Sequence, residues 1–254
     1  PKTKLPFNRI TPKTMKKSFL LTTLIAVAMW GSVSPAASQE NLSLKTESGF
    51  EAGIGADLVS RFVWRGMDQE SGVSLQPSMS FSWPCGLTLG AWGNSSISRI
   101  SLNEVDFTLE YEISGFKALF TDYYWGGDFS SFSEDHYCEL TLEYCFGEKF
   151  PLTMSWASML FAGENGELDE YGDRMFSSYF NISYDFDIKG VKLSPSIGFN
   201  PWKSQYDDDF SVMDIVLKVE KEVHINDSIT LPVSAQLIVS PAMDKSYLVL
   251  GLSF

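Results

Sequence analysis

The sequence has no apolar run long enough for a membrane-spanning helix, little with which to ligate a metal, and too few basic residues to balance its acids. The longest apolar stretch, Phe19 to Trp30, is about a dozen residues, against the roughly 18 to 20 that a spanning helix needs. If the chain sits in a membrane, it does so as strands. The histidines are two, His136 and His224, and the cysteines three, Cys85, Cys138 and Cys145. Cys138 and Cys145 would point to opposite faces of an unbroken strand and cannot bond each other. No CxxC and no Cys/His cluster occurs. A disulfide framework is excluded, a metal site is not expected, and no cofactor is expected.

Lys plus Arg number 19 against 32 Asp plus Glu, a net charge of −13. Phosphate contacts need Lys and Arg, so no nucleic acid is expected as a partner. An acidic surface suits cations, or divalent ions bridging it to lipopolysaccharide, or simply solvation.

What the sequence does contain falls into four stretches. Residues 1–14 precede Met15 and read as an over-extended start. Residues 15–38 read as a secretory signal peptide: Lys16 and Lys17, the apolar run, then Ser34-Pro35-Ala36-Ala37-Ser38. Residues 39–49 form a short lead, and residues 50–254 carry the fold. Removing residues 1–38 takes away six of the 19 basic residues and no acid, leaving 13 against 32, or −19.

From Phe50 onward apolar and small or polar residues alternate with period two, which predicts strands. Twelve are predicted, near 50–65, 73–83, 86–97, 103–113, 116–125, 136–146, 151–161, 174–186, 191–202, 211–222, 229–239 and 246–254. A tilted strand crosses a bilayer in about 9 to 11 residues, which most of these supply. Tight connections, such as Ser114-Gly115 and Asn226-Asp227, alternate with longer polar ones, such as 126–135, 162–173 and 203–210 with its run Asp207-Asp208-Asp209. The prediction is an all-β fold: one antiparallel up-and-down transmembrane β-barrel of about 12 strands.

A soluble sandwich also alternates, with the apolar face buried. Trp64, Trp83, Tyr124, Trp125, Tyr144, Trp202 and Tyr247 fall near strand ends, as interfacial girdles require. The polar faces carry Ser, Thr, Gly and acids rather than Lys, which suits a confined lumen. Pro77, Pro195 and Pro232 fall inside predicted strands and must sit at bulges or weakly paired positions. The alternation breaks at Asp122-Tyr123-Tyr124-Trp125, where a bulge or the membrane edge is expected. The expected lumen residues are Glu51, Asp57, Asp106, Glu110, Glu112, Glu139, Glu143, Asp185, Asp214 and Glu220, against the bases Arg61, Arg65, Lys192 and Lys218.

The last strand places Leu248, Leu250, Leu252 and Phe254 on one face. A chain ending this way resembles the assembly signal of bacterial outer-membrane barrels, in Leu250, Leu252 and Phe254. The segment Asp57-Leu58-Val59-Ser60-Arg61-Phe62-Val63-Trp64-Arg65-Gly66 resembles the opening strand of the bacterial TorF-type porin family. The likeness continues through 86–95, Glu104-Val105-Asp106-Phe107 and Tyr123-Tyr124-Trp125. It covers roughly residues 50–130 and implies an outer-membrane barrel with pore function; it supplies no catalytic residues.

Three functions follow. The first is a porin or channel for small solutes in the bacterial cell outer membrane, with lipid, lipopolysaccharide and the barrel-assembly machinery as partners and an acidic lumen that favours cations. The second is a non-conducting barrel in which Arg61 and Arg65 pair with carboxylates and fill the interior, or in which the loops bind a partner. The third, an outer-membrane hydrolase, is the least favoured, since no Gly-x-Ser-x-Gly elbow accompanies the histidines.

Overall fold

The computed structural model describes residues 42–97, 101–162, 167–226 and 229–254. The expected signal peptide, the residues before it and Asp227 of the last tight turn lie outside them. Among the described residues no helix is long and apolar enough to cross a membrane.

The strands run, in chain order, as β1 (Leu42–Lys45), β2 (Glu51–Val59), β3 (Phe62–Trp64), β4 (Met67–Glu70), β5 (Ser74–Ser82), β6 (Leu87–Ser96), β7 (Ser101–Ile113) and β8 (Phe116–Tyr124). After a single helical turn, α1 (Phe132–Asp135), come β9 (His136–Cys145), β10 (Leu152–Ala162), β11 (Ser178–Tyr184), β12 (Phe186–Asp187), β13 (Lys192–Asn200), β14 (Ser211–Asn226), β15 (Ile229–Ser240) and β16 (Lys245–Ser253). Twelve of them, β2, β5 to β11 and β13 to β16, pair antiparallel with their neighbours in the chain. β2 then closes the ring, pairing with β5 along one edge and with β16 along the other. The fold is a closed 12-stranded up-and-down barrel, which leaves no long open edge among its staves.

Tight turns gather at one end. Ser114 and Gly115 both have positive φ (51° and 81°), the two-residue hairpin geometry that matches strand twist. The long connections, 60–73, 125–135, the described residues 167–177 before β11 and 201–210, gather at the other end.

The period-two pattern fixes which face is which. Leu248 and Leu250 are 61 % and 53 % exposed, whereas Tyr247 and Val249 on either side of Leu248 are 8 % and 5 % exposed. Leu75, Phe81, Leu89, Phe107, Leu109, Phe120, Leu142, Trp156, Leu217 and Leu237 are likewise exposed, while Ser74, Gln76, Ser78, Asn94, Thr121, Asn181, Ser194 and Asp214 are buried. A soluble sheet protein buries the first set; here it is on the outside. This is the wall of a membrane-spanning barrel, apolar toward lipid and polar toward the interior.

The prolines sit where ladders lapse. Pro77 falls between the β5–β6 pairs at Leu75 and Ser78. Pro195 lies opposite the break between β11 and β12, and Pro232 lies beyond the last β15–β16 pair at Val233. Each lacks a register partner on one side of its strand, the weakly paired setting that a proline needs.

Three expectations are corrected. The first strand does not run to residue 65: it ends at Val59, and Phe62–Glu70 forms a separate hairpin, β3–β4, in a sheet of its own. Arg61 and Arg65 therefore leave the barrel wall. Of the aromatic girdle, Trp64, Trp125 and Tyr247 point inward, in clusters with Tyr123, Tyr206 and Val249. β8 carries no bulge at Asp122; its register with β7 and β9 holds through Tyr124. Asp122 takes an outward position opposite Phe107 and pairs there with His136 at 2.9 Å, while Phe129 of the loop above lies edge-on to His136 and Phe132 of α1 stacks on it. The loop covers a polar pair, and that breaks the alternation.

Candidate functional site

The hairpin tip begins with local backbone chemistry. Trp64 pairs with Met67 across Arg65 and Gly66, whose φ values are 50° and 74°. A two-residue hairpin of type I′ requires positive φ at both positions. Gly66 is needed for space as well, since a Cβ there would lie 2.5 Å from the Met213 carbonyl oxygen and 2.7 Å from Ser240 Oγ. The tip thus rests on the inner wall at β14 and β15.

The hairpin is seated by apolar side chains that a water-filled lumen would not hold. Val63, like Val59 and Val216, packs against the buried cluster Ile238, Tyr247 and Val249. Phe62 lies 5.4 Å from Trp92, and Trp64 lies edge-on to Tyr123 and Tyr206. The residues between β2 and β5 fold back into the barrel.

Arg65 then reaches β9, nearly opposite β2 in the ring. Its Nη1 and Nη2 donate to Glu139 Oε2 and Oε1, each at 2.7 Å, and Nη1 also donates to the Tyr206 hydroxyl at 2.6 Å. The forked geometry is the strong form of the Arg–carboxylate pair. Tyr123 donates to Glu139 Oε1 at 3.0 Å. The guanidinium stacks on Trp64 at 4.4 Å and on Tyr179 at 4.7 Å. The Tyr179 hydroxyl in turn donates to the Asp214 carboxylate at 3.0 Å. A chain of polar contacts so runs from β9 through Arg65 to β11 and β14.

Tyr206 is delivered by a loop that Asn200 organises. Buried Asn200 donates through Nδ2 to the carbonyls of Trp202 and Asp209, and Ser204 Oγ donates to its Oδ1. Ser204 Oγ in turn accepts the Tyr206 N–H at 2.9 Å. Asp208 and Asp209 of the acidic run are exposed.

The other predicted residues also project inward. Glu110 and Glu143 flank Lys117 at 4.0 and 3.0 Å, with Glu112 on its cross-strand partner position. Lys192 meets Asp185 at 3.0 Å and Glu220 at 3.8 Å, and Lys218 meets Glu220 at 2.6 Å. Asp57 registers with Gln76 and Ser253 on the inner face, and Asp106 is buried there. Glu51 stands at the tight-turn end, 3.7 Å from Lys45. Arg61 pairs instead with Asp68 inside the hairpin, at 2.6 Å.

Lys117, Glu104 and Glu167 join the interior without having been predicted. The first two follow from the same alternation. Glu167 comes from the long connection before β11 and no periodicity could place it. Burial pushes its carboxyl above the usual range, against the pull of the Ser177 N–H that donates to it at 2.8 Å. Glu167→Gln keeps an acceptor for that N–H, so it should change stability by less than about 1 kcal/mol. Glu139→Gln strands a buried guanidinium and should cost about 3 kcal/mol or more. Urea unfolding in lipid vesicles measures both; equal losses would contradict the distinct roles.

Residues 43–235 match the family model described as "Bacterial protein of unknown function (Gcw_chp)". The chain belongs to this family. The matched span takes in Arg65, Glu139, Tyr179, Tyr206 and Asp214 and stops inside β15. No curated protein matches the chain. Among solved structures it is similar to one titled "KdgM porin", at 10% identity and a TM-score of 0.45, covering 80% of this chain and 98% of that one. It is also similar to "NanC porin structure in rhombohedral crystal form", at 11% identity and a TM-score of 0.43, covering 79% and 98%.

Proposed function

We propose that this member of the family is an outer-membrane channel for small neutral or cationic solutes, narrowed by the hairpin Phe62–Glu70. The resemblance to TorF-type porins belongs to the same reading. The observation that carries it is the sign of the interior: Glu104, Asp106 and Asp214 face it with no ion pair to a base among the described residues. A ring of one sign concentrates the opposite ion and excludes its own. Lys117, Lys192 and Lys218 are tied to carboxylates nearer the tight-turn end, which leaves the acids to set the field.

Asp106→Asn combined with Glu110→Gln should lower the cation-to-anion permeability ratio about two-fold or more, read as a reversal potential shifted toward zero in a salt gradient. An unchanged reversal potential would remove these acids from the conducting path.

A non-conducting barrel is the second reading, and the packing around Arg65 favours it. If the hairpin never leaves, planar bilayers stay silent for the wild type and conduct only when the hairpin is removed.

A further inference from the structure

On the outer wall the register leaves two charged side chains among the described strand residues, Asp122 and Lys221. Asp122 is paired with His136. Lys221 is exposed, stands between outward-facing Val219 and Val223, and forms no ion pair among the described residues. A lone charge on a lipid-facing wall is unfavourable unless it finds an opposite charge or the headgroup layer.

Lys221 stands at the end of a groove. About 580 Å³ in volume, the groove crosses β14, β15, β16 and β2 and is lined by Val219, Val233, Ala235, Leu250, Leu252 and Leu58. Ligand sites typically fall within roughly 300 to 1,000 Å³. Its lining is almost wholly apolar and mostly outward-facing, Val59, Ser234 and Gly251 adding to it from inward positions, and Ala235 makes it deep by what it lacks between larger neighbours. Lys221 pairs with Val233, which pairs with Leu252, two residues from the chain end. The ammonium therefore lies at the tight-turn rim, level with lipid headgroups when the apolar wall lies in the hydrocarbon layer.

We propose that the groove binds one acyl chain of an anionic phospholipid and that Lys221 takes its phosphate. An apolar slot open to lipid admits an acyl chain, and a single unpaired cation at its rim selects a negative headgroup over a zwitterionic one. The groove also crosses the β16–β2 junction, a short seam that runs from Leu250–Ser60 to Phe254–Ala56. A seated lipid braces the closure of the barrel.

This inference rests on the wall facing lipid. Insertion into phosphatidylcholine vesicles, read as heat-modifiable gel migration, tests that premise separately: a protein that does not insert fails the membrane reading whatever Lys221 does. Native mass spectrometry of the full refolded chain with added phosphatidylglycerol or phosphatidylcholine tests the site. The wild type should retain one phosphatidylglycerol under activation that strips phosphatidylcholine. Lys221→Gln, a change at an exposed position, should reduce that retention about five-fold and bring the two lipids level. Ala235→Phe, which fills the groove, should lose both. Equal retention of the two lipids by the wild type, or phosphatidylglycerol retention unchanged by Lys221→Gln, means annular lipid only and overturns the proposal. Retention unchanged by Ala235→Phe places the lipid outside the groove and overturns it too.

Discussion

Arg65→Ala should raise the single-channel conductance of the refolded barrel about two-fold or more while destabilising it. Arg65 is the side chain that ties the hairpin to the far wall, through two 2.7 Å bonds to Glu139 and one 2.6 Å bond to Tyr206. Removing it takes away a guanidinium whose electrostatic field repels cations and frees the tip to leave the interior. The stability loss has a different origin. Glu139 is 1 % exposed, and breaking a buried pair from one side costs about 3 to 5 kcal/mol because the remaining charge is uncompensated. Adding Glu139→Gln to Arg65→Ala should return part of that loss, so the double variant should be more stable than Arg65→Ala alone. Bilayer recording and urea unfolding of the same samples check both halves. A conductance equal to the wild type would mean that the hairpin does not limit flow.

Gly66→Val should open the lumen without touching any charge. At φ 74° a β-branched residue pays about 1 to 2 kcal/mol for the left-handed backbone alone. The added Cβ also meets the Met213 carbonyl oxygen at 2.5 Å, a backbone atom held in β14 that cannot swing aside. Because Gly66 lies at the tip, the hairpin cannot seat on β14 and β15, yet Arg65 and Glu139 are chemically intact. The expected result is a conductance rise like that of Arg65→Ala, with the connection 60–73 newly open to protease. A rise in Arg65→Ala but not in Gly66→Val would assign the effect to charge rather than to displacement of the plug.

The barrel was legible because period two is strict where a strand has lipid on one side and a polar interior on the other. Alternation placed Asp106, Glu139, Asp214 and Lys192 on one face and Leu248, Leu250 and Leu252 on the other, as the register has them. The hairpin was illegible by the same rule. Phe62-Val63-Trp64-Arg65 continues the alternation of β2, so the chain reads as one long strand, and at the reversal only Gly66 signals a turn, since Arg65 is an uncommon residue at positive φ.

A signal for the plug was present elsewhere. Val216, Ile238, Tyr247 and Val249 are apolar at inward positions of β14 to β16, where a water-filled lumen would have polar side chains. An apolar patch on the inner face needs something apolar to cover it, and Val63 does so. Trp64, Trp125 and Tyr247 were misread as girdle residues because proximity to a strand end does not say which face a side chain takes. Asp122 was misread because its partner, His136, lies across a strand pair and its cover comes from a loop.

Recording the wild type beside a variant in which Phe62–Glu70 is replaced by a Gly/Ser linker bears most directly on the hairpin as a plug in an acidic channel. In a potassium chloride gradient the deletion should give larger steps than the wild type, and both should keep a cation-favouring reversal potential. Steps of equal size, or a deletion that favours anions, would contradict it.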